Sequence, residues 1–127
     1  MKYYLDTSFI VEIIKGEPRA LAILSDLDGQ LFTSQLGRVE VLRTFNRFYS
    51  DWIPQAYDFL NSVHLVNLDC YILDTVENYG SEITLTTADA IHVSSAQSLL
   101  EEEDSLVTFD KEMAKNAKKM GLSVISS

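Results

Sequence analysis

The stretch "LVTFDKEMAKNAKKMGL", Leu106–Leu122, reads as an apolar strand, an aspartate, and a helix that stops at a glycine. The other end of the chain repeats the pattern in "YYLDTSFIV", where Asp6 closes the first apolar run. An acid directly after a buried strand has two readings. It caps the next helix, since aspartate is among the best N-cap residues, or it lines a site.

Working outward, short apolar runs alternate with helical ones. Strands are expected at Lys2–Leu5, Leu31–Ser34, Leu65–Leu68, Ser105–Phe109 and Leu122–Ile125. Helices are expected at Thr7–Lys15, Pro18–Leu27, Leu36–Tyr49, Pro54–Val63, Cys70–Tyr79, Thr87–Leu100 and Lys111–Met120. Pro18 suits a first helical turn, and Gly16, Asp28-Gly29 and Gly80 act as stops. This alternation predicts an α/β fold: a three-layer α/β/α sandwich with a central parallel sheet of four or five short strands. No internal repeat or linker divides the chain, so residues 1–127 read as a single domain. In such a sheet ligands bind outside the carboxyl ends of the strands. Asp6 and Asp110 therefore point toward the same rim.

The apolar fraction of 46% and charged fraction of 23% are those of an ordinary globular protein and exclude disorder. No apolar stretch approaches the ~18 residues of a membrane span. Asp6 interrupts the first apolar run, which makes it a poor signal peptide. The lone Cys70, expected to be a packing residue, forms no internal disulfide, and with only His64 and His92 it makes no structural zinc site. A reducing cytoplasm fits this cysteine usage. Net charge is −9, and Lys and Arg occur only within residues 2–47 and 111–119. Such a chain does not coat nucleic acid through a basic surface. To handle a polyanion it requires a local basic patch or bound cations. The run "EEED", Glu101–Asp104, reads as a solvated turn, and Lys111, Lys115, Lys118 and Lys119 as a solvated helix face.

Two further acids stand out. Asp89, in "LTTADAIHVSSAQSLL", pairs with Thr86 in a capping-box-like arrangement. On a helical wheel it nevertheless falls amid Ala88, Ala90, Val93 and Ala96, with Ser94, Ser95 and Ser98 mainly on the other face. A carboxylate so placed is costly unless a partner relieves it. Glu40, in "SQLGRVEVLRTFNRFYS", shares a face with Arg43 and Arg47, away from an arc of Val41, Leu42, Phe45, Phe48 and Tyr49. It is either a surface glutamate paired with an arginine one turn on or an acid flanked by phosphate-binding arginines. His92, one turn after Asp89, reads as a core-edge histidine, with orientation of a carboxylate or contact with substrate as the alternative.

Taken together, "YYLDTSFIV", "GRVEVLR", "TTADAIHVSSA" and "LVTFDKEMAKNAKKMGLSV" resemble the PIN-domain nucleases, most closely the VapC-type toxins of toxin–antitoxin pairs. The resemblance spans nearly the whole chain, in the family's order. It implies a PIN-like sandwich and a Mg²⁺- or Mn²⁺-dependent ribonuclease. It maps the family's acids onto Asp6, Glu40, Asp89 and Asp110, with Ser8 and Thr108 as supporting hydroxyls. It also implies a single-stranded or looped RNA substrate, an antitoxin partner and a homodimer. One position departs: many toxins have asparagine where Asp110 stands and an acid a few residues later. Here Met113 holds that later position, which leaves Glu112 as a substitute or assistant for Asp110.

Clustered carboxylates repel one another unless protonated or bridged by cations. An all-oxygen set selects Mg²⁺ or Mn²⁺ over zinc. The expected mechanism has Asp6, Asp89 and Asp110 holding one or two ions, Glu40 ligating a second ion or a bound water, and Arg43 and Arg47 contacting phosphate. A stand-alone RNA-processing nuclease and a non-catalytic PIN-like interaction module are the alternatives. A haloacid-dehalogenase-like phosphatase needs a second Asp where Ser8 stands, and a receiver domain needs paired early acids that are missing.

Overall fold

The computed structural model describes residues 1–126. Five strands, β1 (Lys2–Leu5), β2 (Gln30–Ser34), β3 (His64–Val66), β4 (Ser105–Val107) and β5 (Ser123–Ile125), form one sheet in the order β3-β2-β1-β4-β5. Every pairing is parallel; Tyr3 lies opposite both Leu31 and Ser105. Seven α-helices connect them: α1 (Thr7–Ile14), α2 (Pro18–Asp26), α3 (Gln35–Phe48), α4 (Ile53–Asn61), α5 (Cys70–Glu77), α6 (Thr87–Leu99) and α7 (Lys111–Lys119). A 3-10 turn over Ser50–Trp52, not expected from the sequence, leads into α4.

The layers follow from strand alternation, because successive side chains point to opposite faces. Tyr3 and Leu5 face one core with Phe9 and Ile10 of α1, Ala20 of α2, Val41 and Phe45 of α3, and Leu60 of α4. Tyr4 and Leu106 face the other, with Val93 and Ala96 of α6 and Met113 and Ala117 of α7. Helices thus cover both faces of a central parallel sheet, which is the expected three-layer sandwich.

Helix punctuation is mostly local. Asp6, Ser34, Asp69, Thr86 and Asp110 each accept the amide three residues on as N-caps. Gly16 and Gly121 adopt positive φ, +76° and +89°, where a side chain is disfavoured, at the ends of α1 and α7. Expected β4 is shortened at its end, since the Phe109 amide turns to the Ser8 hydroxyl. Expected β3 ends two residues early because the Leu68 amide bonds Gln35 and Asp69 caps α5.

Four readings of burial are corrected. Ser94 and Ser95 are buried; the Ser94 hydroxyl donates to the Ile72 carbonyl of α5 at 3.0 Å and the Ser95 hydroxyl to the Ile91 carbonyl of its own helix at 2.7 Å. Phe48 is 62% exposed and does not join the α3 core face, while Cys70 is exposed at the first position of α5. Asp104 is no solvated turn residue. It is buried and accepts the Lys2 amide at 2.8 Å and the Glu101 amide at 2.9 Å, joining the starts of β1 and β4. Among the described residues no helix is long and apolar enough to cross a membrane.

Candidate active site

From the central strand β1 the chain winds outward through β2 to β3, then returns to the other side of β1 at β4. The switch point is therefore the carboxyl end of β1 and β4, the crevice where open parallel sheets bind ligands. Asp6 follows β1 immediately, and Asp110 lies three residues beyond β4.

Asp6 is 2% exposed and tightly held. Its Oδ1 accepts the Ser8 hydroxyl at 2.8 Å and the Phe9 amide at 3.2 Å; its Oδ2 accepts the Thr108 hydroxyl at 2.8 Å. Burial pushes its carboxyl above the ordinary range, and these donors with the nearby His92 oppose the rise. Ser8 in turn accepts the Phe109 amide at 3.1 Å and Thr108 accepts the Asp110 amide at 2.9 Å. The two hydroxyls thus couple the chain after β1 to the chain after β4. A carboxylate offers about four acceptor directions, so Asp6 keeps one for a further partner.

Glu40 lies in the second turn of α3, and its partner is not Arg43. Its Oε1 accepts the Thr7 hydroxyl at 2.7 Å and His92 Nε2 at 2.5 Å. Burial pushes the Glu40 carboxyl up, but the hydrogen bonds from His92 and Thr7 hold it below the usual range. Asp89 is partly exposed at the third position of α6, its amide capped by Thr86 at 3.3 Å. Burial raises its pKa, and repulsion from Asp110 and Glu40 adds to the rise against the relief given by Thr86 and His92. Asp110 and Glu40 are thus the negative charges that Asp89 faces. Asp110 uses one oxygen for the Met113 amide at 2.9 Å. Among the described residues no three His, Cys, Asp or Glu side chains close into a ready-made metal cage.

Glu112 turns elsewhere. It bonds the Thr84 hydroxyl and, at 3.4 Å, the Asn116 amide group, while Asn116 Oδ1 accepts the Thr84 amide at 2.9 Å. This knot ties the segment before α6 to α7, so Glu112 serves the loop. Arg43 and Arg47, both exposed, line a cleft of about 370 Å³ with Thr7, Glu40 and Phe48. Arg47 lies 4.8 Å from the centre of the Phe48 ring. On the Asp110 side a larger groove of about 1030 Å³ is lined by Glu17, Arg19, Phe109 and Lys111.

The functional neighbourhood includes His92, which the sequence singled out, and Tyr4 and Thr7, which it did not. His92 is 1% exposed and takes both readings at once, buried and orienting a carboxylate. Thr7 and Tyr4 complete its contacts. The signal for His92 was its place one turn after Asp89; Tyr4 and Thr7 carried none, being ordinary strand and helix-start residues.

The family model described as PIN domain matches residues 3–119. Ribonuclease VapC46 of Mycobacterium tuberculosis is 31% identical over 125 residues, covering 97% of this chain and 95% of that protein. The crystal structure of VapBC2 from Rickettsia felis, bound to a DNA fragment from their promoter, aligns with a TM-score of 0.77 at 18% identity over 100% of this chain and 99% of that one. A toxin–antitoxin complex from Klebsiella pneumoniae aligns with a TM-score of 0.74 at 20% identity over 88% and 90%. The chain belongs to the PIN-domain family. Within that family its sequence sits with the VapC ribonucleases.

The donor set at the rim fits a hard divalent cation. It is made of carboxylate oxygens with no thiol, the chemistry that favours Mg²⁺ or Mn²⁺. Repulsion of Asp89 by Asp110 and Glu40 is a cost that a bound cation would relieve.

Proposed function

We propose that this chain is a metal-dependent endoribonuclease that hydrolyses RNA phosphodiesters as the toxin of a VapBC-type toxin–antitoxin pair. The observation that carries the reading is that Asp6 and Asp110 follow β1 and β4 at the switch point, with Asp89 near enough to feel the charges of Asp110 and Glu40, in a chain matching the PIN family over residues 3–119. The VapC46 likeness supports the ribonuclease activity, and the Klebsiella pneumoniae complex supports an antitoxin partner. Residues 1–127 act as one PIN-like unit in this reading, expected to pair as a homodimer.

Asp6, Asp89, Asp110 and Glu40 hold one or two Mg²⁺ or Mn²⁺ ions. When bound, such an ion lowers the pKa of water, orients it toward the phosphodiester and stabilises charge on the leaving oxygen. Ser8 and Thr108 hold Asp6 in one orientation, so the innermost acid is set before any ligand arrives. Arg43 and Arg47 receive phosphates in the cleft beside Glu40, supplying positive charge to a chain of net charge −9.

The test is cleavage of a single-stranded RNA oligonucleotide with Mn²⁺ by wild type and Asp89→Asn. Loss of a charged group at such a site is expected to reduce cleavage by about two orders of magnitude or more. Asp89 is unfavourably charged in the metal-free fold, so the variant should melt no lower than wild type. Wild-type cleavage by the variant would overturn the assignment.

A further inference from the structure

Glu40 is held by one oxygen. Its Oε1 takes both recorded hydrogen bonds, from Thr7 at 2.7 Å and from His92 at 2.5 Å, which leaves Oε2 unengaged among the described residues. His92 is itself gripped from behind, its Nδ1 lying 2.8 Å from the Tyr4 hydroxyl with the two rings edge-on at 5.9 Å. The fold makes room for this contact at Gly37 of α3. A Cβ there would stand 2.3 Å from the Thr33 hydroxyl and 3.3 Å from His92 Cε1. Tyr4 comes from β1, His92 from α6, Glu40 from α3 and Thr7 from α1, so the chain of bonds triangulates one carboxylate from three other elements.

We propose that His92 is a positioning residue: gripped by Tyr4 through Nδ1, it fixes Glu40 through Nε2–H and so keeps the second Glu40 oxygen free to ligate a divalent cation. This inference rests on the nuclease reading above. The Glu40 carboxylate can only accept at Nε2, which leaves Nδ1 of the neutral ring to accept the hydroxyl of the fully buried Tyr4. The ring proton then sits on Nε2, where Glu40 accepts it. A partner that sets the tautomer and aims the ring is the usual means of orienting a histidine. Glutamate is long and rotamer-rich, so ordering it in the folded protein removes that cost from cation binding.

The experiment compares wild type, His92→Gln, His92→Leu and Tyr4→Phe. A glutamine amide nitrogen reaches near the Nε2 position and donates to Glu40; leucine fills the space and donates nothing. Mn²⁺ affinity is measured by calorimetry, kcat and KM with a single-stranded RNA oligonucleotide, and the His92 tautomer by ¹⁵N NMR on metal-free protein. His92→Leu is expected to bind Mn²⁺ about tenfold more weakly and to lose kcat with little change in KM for RNA. His92→Gln should recover Mn²⁺ affinity to within about threefold of wild type, short of the roughly tenfold or more that losing an orienting partner costs. Wild-type NMR should show the proton on Nε2, and Tyr4→Phe should mix the tautomers. A cooperatively melting His92→Leu that binds Mn²⁺ as wild type does would overturn the inference, as would a glutamine variant no better than leucine. If His92→Leu fails to fold, the glutamine variant and the Tyr4→Phe spectrum decide: wild-type Mn²⁺ affinity in the first and mixed tautomers in the second support the inference, and any other result overturns it. Wild type that binds no Mn²⁺ overturns the nuclease reading and this inference together; wild type that binds Mn²⁺ with an indifferent leucine variant overturns this inference alone.

Discussion

A single absent methyl group governs the crowding behind Glu40. Gly37 is buried in α3, a helix in which alanine would ordinarily be better by roughly 0.8–1 kcal/mol. Here the sign reverses, because the added Cβ collides with the Thr33 hydroxyl and presses on His92. Gly37→Ala should destabilise the protein by about 1–3 kcal/mol, the scale of overpacking in a filled core. A thermal melt checks it, and a melting temperature at or above wild type would contradict it. The residue scale also shows why helical wheels misplace polar side chains. Ser94 and Ser95 have polar periodicity, yet both are buried, Ser94 bonding the Ile72 carbonyl of α5 and Ser95 the Ile91 carbonyl one turn back. A wheel ranks the sides of one helix and knows nothing of a second helix packing on the polar side.

Elements are joined by a few polar clamps whose partners lie far apart in the chain. Asp104 accepts two amides, one at the start of β1 and one at the turn before β4, and these hold its carboxyl below the ordinary range. The backbone hydrogen bond from Glu101 is the larger cause, that from Lys2 the next. A depressed folded-state pKa gives stability that is present above the unfolded value of about 3.9 and lost as pH falls through the folded value. Asp104→Asn should therefore melt below wild type at pH 7, with the gap closing as the pH is taken toward 3. A gap independent of pH would rule out the charge-assisted clamp. Asn116 plays the same part for the segment before α6: fully buried, it meets Thr84 with both its carbonyl and its amide. Neither clamp was legible in advance, since a run of acids and an asparagine in a lysine-rich helix look alike whether solvated or bonded.

At the scale of the whole molecule, stability and acid placement pull against each other. Carboxylates that repel at the rim weaken the metal-free fold, and an ion that binds only the folded state stabilises it by mass action. Mn²⁺ at about 100 times its dissociation constant should add roughly 2.7 kcal/mol, or about 10 °C in melting temperature for a chain of this size. Asp89→Asn should remove most of that increment. An unchanged wild-type melting temperature across a Mn²⁺ titration would speak against cation binding at the rim.

By itself the sequence determined the alternation of short strands and helices, the parallel sheet covered on both faces, and the acids that follow β1 and β4. Those are local matters: apolar period, caps and glycine stops are written in neighbouring residues. The switch-point topology then carries Asp6 and Asp110 to one rim whatever the loops between them do. Only the tertiary structure decided which partner each acid takes. Glu40 has an arginine one turn away along its own helix, yet it bonds His92, 52 residues distant. The reason is desolvation. An exposed pair in water gains little, whereas hydrogen bonds to a carboxylate drawn partly out of water, from groups already locked in the core, are worth far more. No spacing within one element encodes which buried donor will be waiting on another.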